Sequence, residues 1–195
     1  MANRLIAIHS PTNGAGKSTL AKVLHYLAWK KQVEKNELSI IPKLTYDEFI
    51  NLGGPDKVSP YRTRSFADLP NDVYELIKGE RFKDLPREKK ELRRDQFVDM
   101  CETLKHKVFH ESIWTHALML QWKEDSAWII DDLRFEDELD AIVARDGLVI
   151  EIIDDSRETK DYDLDTSVSN NDLYIIKKQP TVKELVEVVS NLNIF

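Results

Sequence analysis

Short runs of consecutive apolar residues alternate along the chain with stretches in which apolar residues recur every three or four positions. The runs "RLIAIH" (4–9), "AWIIDD" (127–132), "GLVIEIID" (147–154) and "DLYIIKK" (172–178) are rich in Ile or Val and bounded by polar residues, which is the pattern of strands buried on both faces. After the first run, Leu20, Val23, Leu24, Leu27 and Ala28 fall at helical spacing, so a helix there packs one side against a sheet. "TVKELVEVVSNL", following Pro180, reads as a closing helix with Thr181 as N-cap and Glu184 at the capping-box position. Strands alternating with helices call for a parallel sheet covered by helices on both faces. "SIIPKL" (39–44) reads as one more strand, which Pro42 confines to a short or edge position.

Two stretches break the alternation. Residues 46–121 are rich in charge, poor in β-branched runs, and hold helical segments such as "NDVYELIKG" and "RRDQFVDMCETLKHKVF". They read as a helical lobe inserted between the first and third strands. "DDSRETKDYDLDTSVSNN" (154–171) has no apolar periodicity, and residues 155–171 read as a short lid. With 195 residues, one domain spanning 1–195 with a small inserted lobe is the expected organisation.

The formal net charge of −7 argues against a general nucleic-acid or membrane-surface binder, because such proteins carry a basic excess that neutralises phosphates. Any anionic ligand must then be met by a local cluster of cations. A single cysteine, Cys101, rules out an internal disulfide and reads as a small packing residue rather than a nucleophile. The N-terminal apolar run is too short for a signal peptide or a membrane span. A cytoplasmic setting is therefore expected.

"HSPTNGAGKSTL" (9–20) stands between the first apolar run and the first helical pattern. A strand running into a glycine-containing loop and then a helix N-terminus forms a cradle for phosphates, since backbone N–H groups and the positive dipole end point inward. Gly14 and Gly16 let the backbone approach an anion, Lys17 reaches the β- and γ-phosphates, and the Ser18 hydroxyl is placed to ligate Mg²⁺. Against G-x-x-x-x-G-K-[ST], residues Gly16, Lys17 and Ser18 match, while Pro11 occupies the first glycine position. Asn13, Gly14, Ala15, Gly16, Lys17, Ser18 and Thr19 are the expected contacts to a nucleoside triphosphate.

In "WIIDDLRFEDELDAI" (128–142) an apolar strand ends in Asp131 and Asp132, with Arg134 directly after. Open α/β sheets bind ligands at that strand edge. Of Asp131 and Asp132, one carboxylate can hold Mg²⁺ directly or through water, and Arg134 offers a planar fork to a phosphate. Arg62 and Arg64 flank Thr63 in a segment read as a loop able to clamp a phosphate. Phe66, Trp114 and Tyr61 are the aromatics available to stack on a base.

These residues resemble the phage-type deoxynucleoside monophosphate kinases, P-loop enzymes with an adenylate-kinase-like fold. The resemblance rests on "NGAGKST", "YRTRSFADLPNDVYELI" and "DDLRFEDELDAI", in that order, with lesser echoes in "RFKDLPREKKELRRDQF", "IWTHAL" and "YIIKKQPTVKELVEVV". It implies a three-layer parallel sheet of order 2-3-1-4-5, an acceptor-binding helical lobe, and a lid carrying Arg157. It further implies transfer from ATP to a deoxynucleoside monophosphate with Mg²⁺, with Lys17, Arg134 and Arg157 as catalytic cations. Arg62, Arg64, Phe66, Trp114, Asp132 and Arg134 would meet the acceptor, and Ser18, Asp131 and Asp132 the metal. Nucleotides would be the partners, without direct nucleic-acid or membrane contact, in the host cytoplasm if the chain is phage-encoded, and a homodimer is compatible with this. Asn71 stands where the family usually has a lysine, and Lys105, Lys107 and His110 are the cations near the place of a second missing one. Two other readings share the loop. A kinase of another small phosphorylated metabolite would use the same edge, and a nucleotide switch would need a guanine-selecting N-K-x-D, which the sequence lacks.

Overall fold

A computed structural model describes residues 5–12, 14–35, 44–52, 55–123, 125–157, 164 and 173–195. Five parallel strands make one sheet in the order β2-β3-β1-β4-β5, as expected, with β1 at Leu5–His9, β2 at Arg62–Arg64, β3 at Trp128–Leu133, β4 at Leu148–Ile153 and β5 at Leu173–Lys177. The three central strands are the continuous apolar runs of the sequence, and β1 is buried along its whole length. Two helices follow the pattern read from sequence: α1 (Lys17–Lys35) buries Leu20, Val23, Leu24, Leu27 and Ala28, and the closing helix Val182–Ser190 has the Thr181–Glu184 capping box.

Alternation along β1 sets the layers. Ile6 and Ile8, with Leu148, Ile150 and Ile152 of β4, join the core under α1 and the closing helix. Leu5 points to the other face, where a Cβ on Gly147 would crowd both Leu5 and Ile142 of the helix Glu136–Val143. Helices α2 (Tyr46–Asn51) and α3 (Pro55–Val58) also pack on α1.

The second strand of the sheet differs from the reading of the sequence. Arg62, Thr63 and Arg64 form edge strand β2 instead of a loop, paired with β3 so that Arg62 is level with Trp128 and Arg64 with Ile130. A three-residue strand with two arginines has no apolar signature, and charged residues are what an edge strand carries to discourage pairing with other chains. Of "SIIPKL", only Leu44 lies within the described residues. Tyr61 is a core residue, its ring meeting Phe195 at 5.4 Å between centroids.

The chain divides into two compact units, one from the described residues up to Arg64 and those after residue 123, the other Ser65–Lys123. Residues 46–64 thus belong with the sheet. The second unit holds α4 (Asp68–Lys78), α5 (Arg87–Thr103), a π-helical turn Leu104–Val108 and α6 (Ile113–Met119). Renumbered in chain order, the helix Glu136–Val143 is α7 and the closing helix is α8. Within the second unit Phe82 and Phe97 stack at 4.3 Å and Tyr74 meets both edge-on. Asn71 is buried there, its Nδ2 donating to Ala67 O at 2.6 Å and its Oδ1 accepting from Lys83 N at 2.7 Å. That residue ties α4 to the next turn. Among the described residues no helix is long and apolar enough to cross a membrane.

Candidate functional site

The order of strands reverses at β1, whose neighbours β3 and β4 lead outward in opposite directions. The loop after β1 therefore lies at the switch point where open α/β sheets form a crevice. Its first turn is built around Pro11: Ser10 Oγ accepts from Thr12 N at 3.2 Å, so a buried hydroxyl closes the turn. Gly14 (φ +75°) and Gly16 (φ +103°) adopt backbone conformations that side chains with a Cβ avoid. The helix starts at Lys17, with Leu20 N donating to Gly16 O at 2.9 Å. Its first N–H groups have no partner within the helix and can bind an anion. Asn13 lies outside the described residues.

Consecutive residues of a regular strand face opposite ways, yet Asp131 and Asp132 both act on Lys17. A register shift lies at this point: Ala7 pairs with Ile130 and His9 with Leu133, so one extra residue of β3 sits opposite Ile8. Such a bulge re-aims side chains. Buried His9 pins the strand end beyond it, its Nδ1 lying 3.1 Å from Leu133 O. Ser18 Oγ lies 3.5 Å from Asp131 Oδ2, long for an O–H···O bond, so the two oxygens are neighbours rather than tight partners. Burial, then the charge of Asp132, raises the Asp131 carboxyl above its ordinary range. Burial, then the charge of Arg134, lowers the Lys17 ammonium, against the pull of both carboxylates. Two cations are thus held close enough to repel each other, beside two carboxylates that also repel.

Arg134 leaves the strand end as an exposed side chain, while its backbone is held. Glu138 Oε2 accepts from Arg134 N at 2.8 Å and from Phe135 N at 3.1 Å. Glu138 is 6% exposed, and burial, with Asp132 adding, pushes its carboxyl up to about 8.

On the other side of the loop, β4 is followed directly by Asp154, 5% exposed. Its Oδ2 accepts from Lys178 Nζ at 2.8 Å and Arg157 Nε at 2.9 Å, and its Oδ1 from Ser156 Oγ at 2.6 Å and Ser156 N at 3.2 Å. The bond from Lys178, then that from the Ser156 hydroxyl, holds this carboxyl well below the usual carboxylate range. Arg157 in turn lies on the loop: a Cβ added to Gly14 would come within 2.8 Å of Arg157 Nη1. Beside the loop opens a cavity of about 190 Å³, walled by Ala15, Gly16, Thr19, Ile152, Lys178 and Pro180 among others.

The structure thus gathers Gly14, Ala15, Gly16, Lys17, Ser18, Thr19, Asp131, Asp132, Arg134 and Arg157 around one strand edge. Arg64 ends β2 at that same edge, its guanidinium 4.9 Å from the centroid of Trp128, whereas Arg62 starts the strand two residues lower. Phe66 and Trp114 belong to the second unit, where Phe66 is buried and Trp114 half-buried. Cys101 is also there, its thiol pushed up to about 11 by burial, which leaves no reactive thiolate at neutral pH. Glu138, Asp154, Lys178 and the cavity were not singled out from sequence. The Glu four residues after Arg134 and the Asp ending an apolar run were the available signals.

Among the described residues no three His, Cys, Asp or Glu side chains cluster to hold a metal. Ser18 and Asp131 offer instead the oxygen donors that suit a hard cation keeping several waters. The arrangement is that of an α/β protein with a glycine loop and a helix N-terminus at the switch point of its sheet. No family model matches the chain, and no curated protein matches it.

Proposed function

We propose that the chain is a deoxynucleoside monophosphate kinase, a P-loop enzyme with an adenylate-kinase-like fold that converts ATP and a dNMP to ADP and a dNDP. The observation that carries this reading is the convergence of Lys17, Arg134 and Arg157, from three separate segments, on one glycine loop in a chain of net charge −7. Cations held against mutual repulsion are stabilised by an anion between them, and two polyanions reacting with each other need the most such help.

The acceptor phosphate is largely ionised at neutral pH, with a second pKa of about 6, so no general base is required. The chain's task is in-line placement and cancellation of charge. The 14–19 loop and the α1 N-terminus cradle the donor's phosphates, with Lys17 at the β- and γ-phosphates and Arg157 over Gly14. Arg134, and Arg64 at the neighbouring strand end, grip the acceptor phosphate. Ser18 and Asp131, with Asp132 beside them, would hold Mg²⁺, which supplies positive charge to the donor's phosphates. The cavity beside Ala15 and Thr19 takes the donor's base. The resemblance of the three sequence stretches to the phage-type kinases supports the choice of a deoxynucleotide acceptor over another phosphorylated metabolite.

Purified protein given ATP, Mg²⁺ and each dNMP in turn should release ADP above the rate without acceptor. ADP release with none of them removes this function, and release with a different phosphorylated metabolite replaces it.

A further inference from the structure

Resting on the proposed function, we infer that Asp154 is a positioning residue for the donor's polyphosphate, acting through Arg157 and Lys178. One oxygen, Oδ2, accepts from both cations, at 2.9 Å from Arg157 Nε and 2.8 Å from Lys178 Nζ. The other, Oδ1, is fixed by Ser156 through its hydroxyl at 2.6 Å and its backbone N–H at 3.2 Å. A carboxylate that accepts four donors while 5% exposed is rigidly oriented.

That orientation decides where Arg157 points. Its Nε is engaged by Asp154, which turns the far end of the guanidinium to Gly14, where Nη1 occupies the space a Cβ would take. Lys178 follows β5 and lines the cavity that Ala15, Gly16 and Thr19 also line. Asp154 therefore holds one cation against the loop and one in the wall beside it. A polyphosphate at the loop would meet both cations while Asp154 keeps its contacts to them. The Arg157 side chain is half-exposed, and its bond to Asp154 contributes to holding it over Gly14.

The test measures binding of ATP, tripolyphosphate and a dNMP separately by calorimetry, on wild type, Asp154→Asn, Arg157→Ala and the double variant. Asp154→Asn should weaken ATP and tripolyphosphate at least about 10-fold and leave dNMP affinity unchanged. In the Arg157→Ala background the same substitution should weaken tripolyphosphate by less than in wild type, because one of the two residues through which Asp154 acts is gone. A merely structural role predicts equal weakening of all three ligands, and additive losses in the double variant. Either result overturns the inference. Should Asp154→Asn fold poorly, Asp154→Glu keeps the charge and moves it by one methylene, and unchanged tripolyphosphate affinity there is the contrary result. Wild type that binds tripolyphosphate while Asp154→Asn binds it equally overturns the inference alone. Wild type that binds neither ATP nor tripolyphosphate overturns the proposed function with it.

Discussion

The Glu138 carboxylate accepts the backbone N–H of Arg134 at 2.8 Å, so a buried acid on α7 fixes the turn from which the exposed Arg134 side chain departs. Its carboxyl is pushed up to about 8 from an ordinary value of 4.5. A raised carboxyl favours the protonated folded state, so folding stability should fall as pH rises from about 4.5 to about 8, by at most about 1.4 kcal/mol per pH unit. Denaturant unfolding at several pH values should show this slope in wild type and a flatter one in Glu138→Gln, whose amide oxygen still accepts both N–H groups. Glu138→Ala leaves those N–H groups without their acceptor and should cost about 1–3 kcal/mol at pH 6. Parallel pH profiles for wild type and Glu138→Gln would contradict the assignment.

Burial, then the charge of Arg134, disfavours the charged form of Lys17. Lys17→Ala should therefore leave thermal stability unchanged or higher, since its lowered pKa means the charged form weakens the fold below that pKa. Turnover should fall by about 100- to 1,000-fold, the scale for removing a group that stabilises charge in the transition state. A melting curve and a phosphotransfer assay on the same preparation check both halves. Loss of fold with loss of turnover would make Lys17 structural.

Arg134 separates a kinase from a nucleotide switch. Arg134→Ala should weaken dNMP binding by about 10- to 100-fold, the range for hydrogen bonds to a charged group, with ATP affinity little changed. Arg134→Lys should rescue poorly because an ammonium keeps the charge and loses the fork. Calorimetry with each nucleotide alone distinguishes the outcomes, and equal losses for ATP and dNMP would return Arg134 to the role of a surface charge.

The sheet was legible where burial writes a continuous apolar run: β1, β4 and β5 lie within the stretches read as strands, and β3 runs one residue past its stretch to Leu133. β2 was not, because its three residues carry two arginines and its place is set by pairing with β3, a partner more than sixty residues away. The loop and the Asp131–Arg134 edge were legible because their chemistry depends on residue type at fixed local spacing. The bulge that places Asp131 and Asp132 opposite Ile8 was not, since no local pattern encodes it. Glu138 and Asp154 escaped for a related reason. A buried acid that serves by accepting hydrogen bonds looks, in sequence, like any acid at a helix start or strand end.

Following the γ-phosphoryl group of ATP distinguishes transfer to an acceptor from hydrolysis. ATP labelled at the γ-phosphate, incubated with Mg²⁺, the protein and each of the four dNMPs, should place label on a dNDP with at least one of them. Chelation of Mg²⁺ should abolish that transfer, and Lys17→Ala should slow it by about 100- to 1,000-fold. Label recovered only as inorganic phosphate, at the same rate with and without a dNMP, would show hydrolysis instead of transfer and contradict the account.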